Sequence, residues 1–224
     1  MRCRPLAVLS LVLLATGICF TPAPAGEEPK TMSYSESDKQ LLLGLARGAI
    51  EAHLNGDTPQ VPTNLPPLLC EPRGVFVSLH RQGRLRGCIG YLEAVKPLGQ
   101  AIQEMAAAAA FHDPRFRPLQ SHELKDLEVE ISILTPMRRI AKVEEIQVGT
   151  HGLYIERGFS RGLLLPQVAV QCGWDRNTFL EQTCCKAGLP PDAWKDQAAK
   201  IYTFTAVILG EPSHPGACAP QESK

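Results

Sequence analysis

The run Arg84-Leu85-Arg86-Gly87-Cys88-Ile89-Gly90 constrains this chain more than any other. It follows Val75–His80 across Gln82-Gly83, and the pattern predicts a hairpin over Val75–His80 and Leu85–Tyr91. Period-two alternation puts Arg84, Arg86, Cys88 and Gly90 on one face and Leu85, Gly87, Ile89 and Tyr91 on the other. Two glycines in one strand give up packing, and so mark a bulge or the close approach of a backbone or ligand. A cysteine between glycines, sharing a face with two guanidinium groups, has the ingredients of an accessible thiol of lowered pKa. The plainer alternative is a small core filler beside a solvated hairpin end. Register bears on the choice. A two-residue loop sets Cys88 opposite Val77 and turns His80 to the other face, whereas a three-residue loop sets Ser78 opposite Cys88. In neither register is His80 an assured base for a Cys-His pair.

The elements around this hairpin come in two groups. Ser35 and Ser37 are N-cap types, and Leu41, Leu42, Leu45, Ala49, Ile50 and Leu54 lie on one face of a helix reaching Asn55-Gly56. His53 sits close to that face and reads as a packed or rim histidine. Thr58 to Pro72 holds five prolines and reads as an extended crossing. Pro97 opens a second helix that ends in Ala106 to Ala110, small enough for another element to come close, and Asp113-Pro114 stops it. Ser121 begins a short helix, and Val129, Ile131 and Ile133 alternate as a half-buried strand. In the second group, Leu153–Ile155 and Leu163–Val170 read as strands joined through Gly158 to Gly162. A helix from Arg176 to Ala187 is capped by Asp175 and stopped by Gly188, pointing Cys184 inward with Cys185 at its edge. Ile201–Leu209 reads as a last strand. Arg138-Arg139 reads as a solvated turn and Trp174 as a core anchor. Grouped strands and helices predict an α+β fold with a mainly antiparallel sheet and flanking helices.

Arg2 and Arg4, the apolar stretch Leu6 to Phe20 and Ala23-Pro24-Ala25 predict a cleaved secretory signal over residues 1–25, and with it an exported, periplasmic or extracellular protein. A polar leader over 26–34 precedes the domain at 35–211, and a loosely ordered tail covers 212–224. The 224 residues carry 23 Lys+Arg and 23 Asp+Glu. Removing the signal takes away two arginines and two cysteines, leaving a slightly acidic chain with Cys70, Cys88, Cys172, Cys184, Cys185 and Cys218. That balance excludes general nucleic-acid binding, and the composition excludes a polytopic membrane protein or stable membrane insertion after cleavage. Disulfides fit an exported chain but are optional at this size.

A second constellation is Phe111-His112-Asp113-Pro114-Arg115-Phe116-Arg117, a loop after a buried helix where acid/base and anion-binding groups are often mounted. It also reads as a turn in which Asp113 caps a backbone N–H and Arg115 pairs with a carboxylate. No P-loop, dinucleotide glycine pattern, H-E-x-x-H, G-x-S-x-G or C-x-x-C occurs, so the sequence points to no cofactor and no metal.

The run from Gly83 to Gly90, then Asp113-Pro114-Arg115-Phe116, Gly162-Leu163-Leu164-Leu165-Pro166-Gln167 and Thr183-Cys184-Cys185-Lys186-Ala187-Gly188-Leu189 together resemble the AMMECR domain family, in its AmmeMemoRadiSam system protein A-like form. The resemblance spans about Ser35 to Glu211. It implies an α+β fold of two unequal subdomains with a cleft between them, and association with Memo-type and radical SAM proteins. It implies no settled activity. Cys88 matches the family's usual functional candidate, Asp113, Arg115 and Phe116 match its D-x-R-F element, and Cys184 matches the cysteine before K-A-G-L. His112 falls outside the pattern. Cys70, Cys172, Cys185 and Cys218 are additions here and the better disulfide candidates, with at least one bridge expected among these four and Cys184 in an oxidising compartment. Family members are normally intracellular, so an exported member would expose a Cys88 thiolate to oxidation.

Two functions follow. In one, the chain is an enzyme with Cys88 as nucleophile or redox thiol and Asp113 as its catalytic partner. Arg84, Arg86, Gly87, Gly90 and Arg115 would then hold a small anionic ligand. In the other, the same motif is a rigid, non-catalytic surface that docks a partner or an anionic ligand.

Overall fold

The computed structural model describes residues 12–13, 33–60, 62 and 64–211. The expected signal, the tail and Cys218 lie outside them, apart from Val12 and Leu13. Most of the expected leader does too, although Tyr34 at its end is buried. The chain forms two compact units. The first takes in 34–132 with 208–211, and the second takes in 133–207.

In the first unit a five-stranded sheet has the order β1-β3-β2-β4-β9, with β1 Val12–Leu13, β2 Val75–Arg81, β3 Arg84–Tyr91, β4 Leu127–Leu134 and β9 Ala206–Gly210. Helix α1 runs Glu36–Asn55, α2 Pro67–Cys70 and α3 Leu98–Phe111. Ser35 caps α1 in a capping box with Asp38, and Gly56 ends it in the left-handed conformation at φ 78°. α3 packs on α1 and on β2 and β3, burying Ile102, Met105, Ala106 and Ala109. The proline-rich crossing contains α2, because Pro67 sits at the start of a helix, where its missing N–H costs nothing.

The second unit is a four-stranded antiparallel sheet of order β5-β8-β6-β7, with β5 Arg138–Arg139, β6 Gly152–Arg157, β7 Ser160–Leu164 and β8 Lys200–Phe204. Helices α4 Pro166–Gln171 and α5 Arg176–Lys186 accompany it. Its core joins Leu153, Ile155, Leu164, Phe179, Leu180 and Cys184.

Four expectations are corrected. Leu163–Val170 is not one strand: Pro166 cannot donate to a ladder and instead starts α4. Ile201–Leu209 is two strands, broken at Thr205, whose N–H turns to Thr135 Oγ1 at 2.9 Å. Arg138 and Arg139 are strand residues paired with Thr203 and Tyr202, and Arg138 meets Glu145 at 2.8 Å. No disulfide involves Cys70, Cys88, Cys172, Cys184 or Cys185. The α+β class, with two antiparallel-dominated sheets and flanking helices, is as expected.

Candidate functional site

The hairpin is closed by a two-residue turn, with Gln82 at φ 52° and Gly83 at φ 70°, so that Arg81 pairs with Arg84 and His80 with Leu85. Two successive left-handed residues match the strand twist at such a turn. Yet Ser78 pairs with Cys88, because Arg86 is an extra residue between the Leu85 and Gly87 pairings. A bulge therefore combines the short loop with the register expected of the longer one.

The bulge also rearranges the faces. Leu79 pairs with Gly87, whose missing Cβ would stand 2.1 Å from the Ala109 carbonyl oxygen, so this face lies against α3. Alternation along β2 puts Arg81 and its partner Arg84 on that same side. Ser78, Cys88, Phe76 and Gly90 lie on the opposite one. The expected face shared by Arg84 and Cys88 is thus lost, since one inserted residue inverts the alternation between them, while Arg86 stays on the Cys88 side of Gly87. His80 lies on the Ser78 face, but the hydroxyl of Ser78 is what donates to Cys88 Sγ, at 3.2 Å.

Cys88 is fully buried. Burial pushes its thiol pKa up, and neither the Ser78 hydroxyl nor the Arg115 charge cancels that. The expected accessible thiol of lowered pKa is corrected accordingly. Arg86 is engaged elsewhere: its Nε and Nη2 donate to the two carboxylate oxygens of buried Glu123, each at 3.0 Å. Arg81 reaches Glu123 at 3.3 Å, and Glu123 also accepts from the Gln120 backbone N–H at 2.9 Å. The Arg86 bonds lead in holding the Glu123 carboxyl down at about 2. Arg84 is exposed.

Asp113 and Arg115 do something different from acid/base work. Asp113 Oδ2 accepts the Cys88 backbone N–H at 2.9 Å, and Arg115 Nη2 donates to the Cys88 carbonyl at 3.2 Å. The two side chains are locked together through Arg115 Nε to Oδ1 at 2.9 Å and Nη2 to Oδ2 at 2.6 Å. A carboxylate and a guanidinium thus satisfy both backbone groups of one residue, as a neighbouring strand would. Burial works to raise the Asp113 pKa, but the hydrogen bonds from Arg115 and the Cys88 N–H outweigh it and leave the carboxyl lowered. The Phe116 ring lies 5.2 Å from the Arg115 guanidinium carbon and 6.0 Å from that of Arg86.

Gly90 is opposite Phe76, whose ring atoms come within 2.0 Å of where a Cβ would stand. Gly87 and Gly90 are therefore filled by the protein itself. His53 stacks on Phe111 with ring centroids 4.0 Å apart, as fits a rim histidine, and His112 lies edge-on to it at 6.0 Å. Sequence reasoning missed Glu123 and Ala109. The Gln120-x-x-Glu123 spacing of a capping box was a usable signal for the first. Only the five-alanine run hinted at the second. Among the described residues no three His, Cys, Asp or Glu side chains come together as a metal set, and no helix is long and apolar enough to cross a membrane.

Residues 43–209 match the AMMECR1 family model. A protein of Methanothermobacter thermautotrophicus is 49% identical over 190 residues, covering 81% of this chain and 98% of that protein. One of Thermococcus onnurineus is 48% identical over 183 residues, covering 77% of this chain and 89% of that protein. The crystal structure of the uncharacterized protein PH0010 from Pyrococcus horikoshii superposes with a TM-score of 0.73 at 46% identity, covering 76% of this chain and 89% of that one. With its fold, its hairpin motif and these relatives in agreement, the chain belongs to the AMMECR1 family.

Proposed function

We propose that the chain is a non-catalytic binding module, and that the rim of the hairpin motif docks a partner protein. The observation that carries this reading is the engagement of the motif's own chemistry. Cys88 is buried with its pKa raised, Asp113 is bonded to backbone and Arg115, and Arg86 is bonded to Glu123. A nucleophile needs thiolate and access, and a general base needs a free lone pair aimed at substrate. The enzyme reading, with Cys88 and Asp113 acting on a small anion, has neither support. What the motif leaves outside is Arg84, Pro114 and Arg117, all exposed, with Phe116 half-buried between guanidinium groups. Exposed arginines and a half-buried aromatic are residue types enriched at docking surfaces. The partners proposed are a Memo-type protein and a radical SAM protein, and an exported location is retained as part of the proposal.

The test is capture of a purified Memo-type protein and a purified radical SAM protein by this chain. Cys88→Ser should retain capture, whereas Arg84→Glu combined with Arg117→Glu should lose it at least about tenfold with unchanged melting. Capture lost in Cys88→Ser but kept in the double charge reversal would overturn the reading. Gly87 and Gly90 are unsuitable for this test, because a larger residue at either meets protein atoms and acts on folding.

A further inference from the structure

The outermost strands of the two sheets are treated differently. In the second sheet β5 is two residues long and both are arginines, and β7 carries the exposed Arg161, so length and charge discourage pairing there. In the first sheet β9 is an outermost strand, and among the described residues no strand lies beyond it. Its five residues, Ala206-Val207-Ile208-Leu209-Gly210, hold no charge and no proline. The Thr135 N–H donates to the Thr205 carbonyl at 2.9 Å and the Glu211 N–H to the Val129 carbonyl at 3.1 Å, so β9 runs antiparallel to β4 without a slip in register. On that register Val207 and Leu209 turn their backbone groups toward β4, and Ala206, Ile208 and Gly210 turn theirs outward. The side chains of those same three residues share one face. Ile208 is 44% exposed there, and a Cβ on Gly210 would meet nothing within 4 Å.

We propose that β9 is a self-pairing edge, at which a second copy of this chain adds its own β9, antiparallel about a two-fold axis at Ile208. The second copy is the occupant that fits, because the strand is its own complement. In that register Ile208 faces Ile208 of the second copy and Ala206 faces Gly210 of the second copy, so the outward N–H and C=O groups of all three residues are bonded. The two exposed isoleucines meet side by side, and the small residues flanking them leave room. Self-pairing brings identical charges together, and this strand has none to repel. The adjacent Glu211 is turned away, to Arg47 and to the Val129 N–H. A charged partner segment finds no complementary side chain on β9. A contact along five residues is small beside the roughly 1,600 Å² of a standard interface, so the dimer dissociates on dilution. The strand is distinct from the docking rim of the hairpin, and the inference stands or falls independently of partner capture.

Sedimentation velocity of the full chain over a concentration series tests this beside two variants, Ile208→Lys and, as a control at an exposed apolar residue of the second unit, Phe159→Lys. The native chain and Phe159→Lys should pass reversibly from monomer to dimer, and Ile208→Lys should associate at least about tenfold more weakly with unchanged melting. Amide hydrogen exchange locates the contact. The Ile208 amide should slow about tenfold or more as the native chain is concentrated, while the Leu209 amide, which faces β4, keeps its rate. A chain that stays monomeric throughout, a dimer that Ile208→Lys leaves intact or that Phe159→Lys weakens equally, or a dimer whose Ile208 amide exchanges as fast as in the monomer would overturn the inference.

Discussion

The β3 hairpin of the first unit and helix α5 of the second are built on the same device. In each, a glycine on a strand lets a helix come against backbone, and a fully buried cysteine lies nearby. A Cβ on Gly87 would stand 2.1 Å from the Ala109 carbonyl oxygen; one on Gly162 would stand 2.5 Å from the Ala187 nitrogen and 2.7 Å from the Thr183 oxygen. Cys88 and Cys184 are both fully buried, and burial raises both thiols. The difference is ionic. Cys184 packs among Phe179, Leu180 and Ile155, whereas Cys88 is held by Asp113 and Arg115 beside the Arg86–Glu123 pair. The reason is the backbone each motif occupies. Within a helix the amides bond internally, but a strand near the edge of a sheet has a row of groups to satisfy, and side chains from the loop after α3 supply the partners. Charged motif residues at β3 therefore record an edge to be closed as well as any chemistry.

The largest expected effects test the shared part of the comparison. Gly87→Val and Gly162→Val should each cost about 3 kcal/mol or more, because the colliding atoms belong to helix backbone and cannot swing aside. Urea unfolding measures this. A loss under about 1 kcal/mol at either would break the parallel. Next comes the ionic difference. Asp113→Ala should cost about 3 kcal/mol, since it leaves Arg115 and a buried N–H without their carboxylate. Asp175→Ala, which removes only the exposed N-cap of α5, should cost clearly less.

A pH series sharpens the same contrast. Glu123 titrates at about 2 in the folded protein, below its unfolded value of roughly 4.3. Its contribution is fully present above the unfolded value and is lost as pH falls toward about 2. Denaturant midpoints measured down this range should fall more steeply for the native sequence than for Glu123→Gln. Parallel curves would remove Glu123 from the account. The smallest effects return to what is shared: Cys88→Ala and Cys184→Ala should each cost about 1 kcal/mol, as small-volume losses from a core.

Where one element carries its own signal, the fold was legible in the sequence. Ser35 and Asp175 announced their helices, Gly56 and Gly188 ended theirs, and the Gln82-Gly83 turn was visible with its hairpin. Two glycines in one strand correctly marked a bulge and a close backbone. What they could not give was the residue at which the bulge falls, because Arg86 differs from its neighbours only by pairing with Glu123, 37 positions away. That one residue decides which side chains share a face with Cys88. The turn reading of Asp113 and Arg115 foresaw a capped N–H and a carboxylate pair. It could not foresee that the N–H belongs to Cys88, 25 positions away. Leu163–Val170 failed for a simpler reason: hydrophobicity continued through Pro166 while the hydrogen-bonding capacity did not.

The central claim is that Cys88 is a packed thiol within a built strand edge, and its direct measurement is site-resolved alkylation of the native protein. Iodoacetamide near neutral pH should label the exposed Cys70, Cys172 and Cys185, leaving Cys88 and Cys184 unmodified until denaturant is added. Labelling of Cys88 in the folded protein at a rate equal to or above that of the exposed cysteines, persisting at mildly acidic pH, would contradict the account and restore the nucleophile.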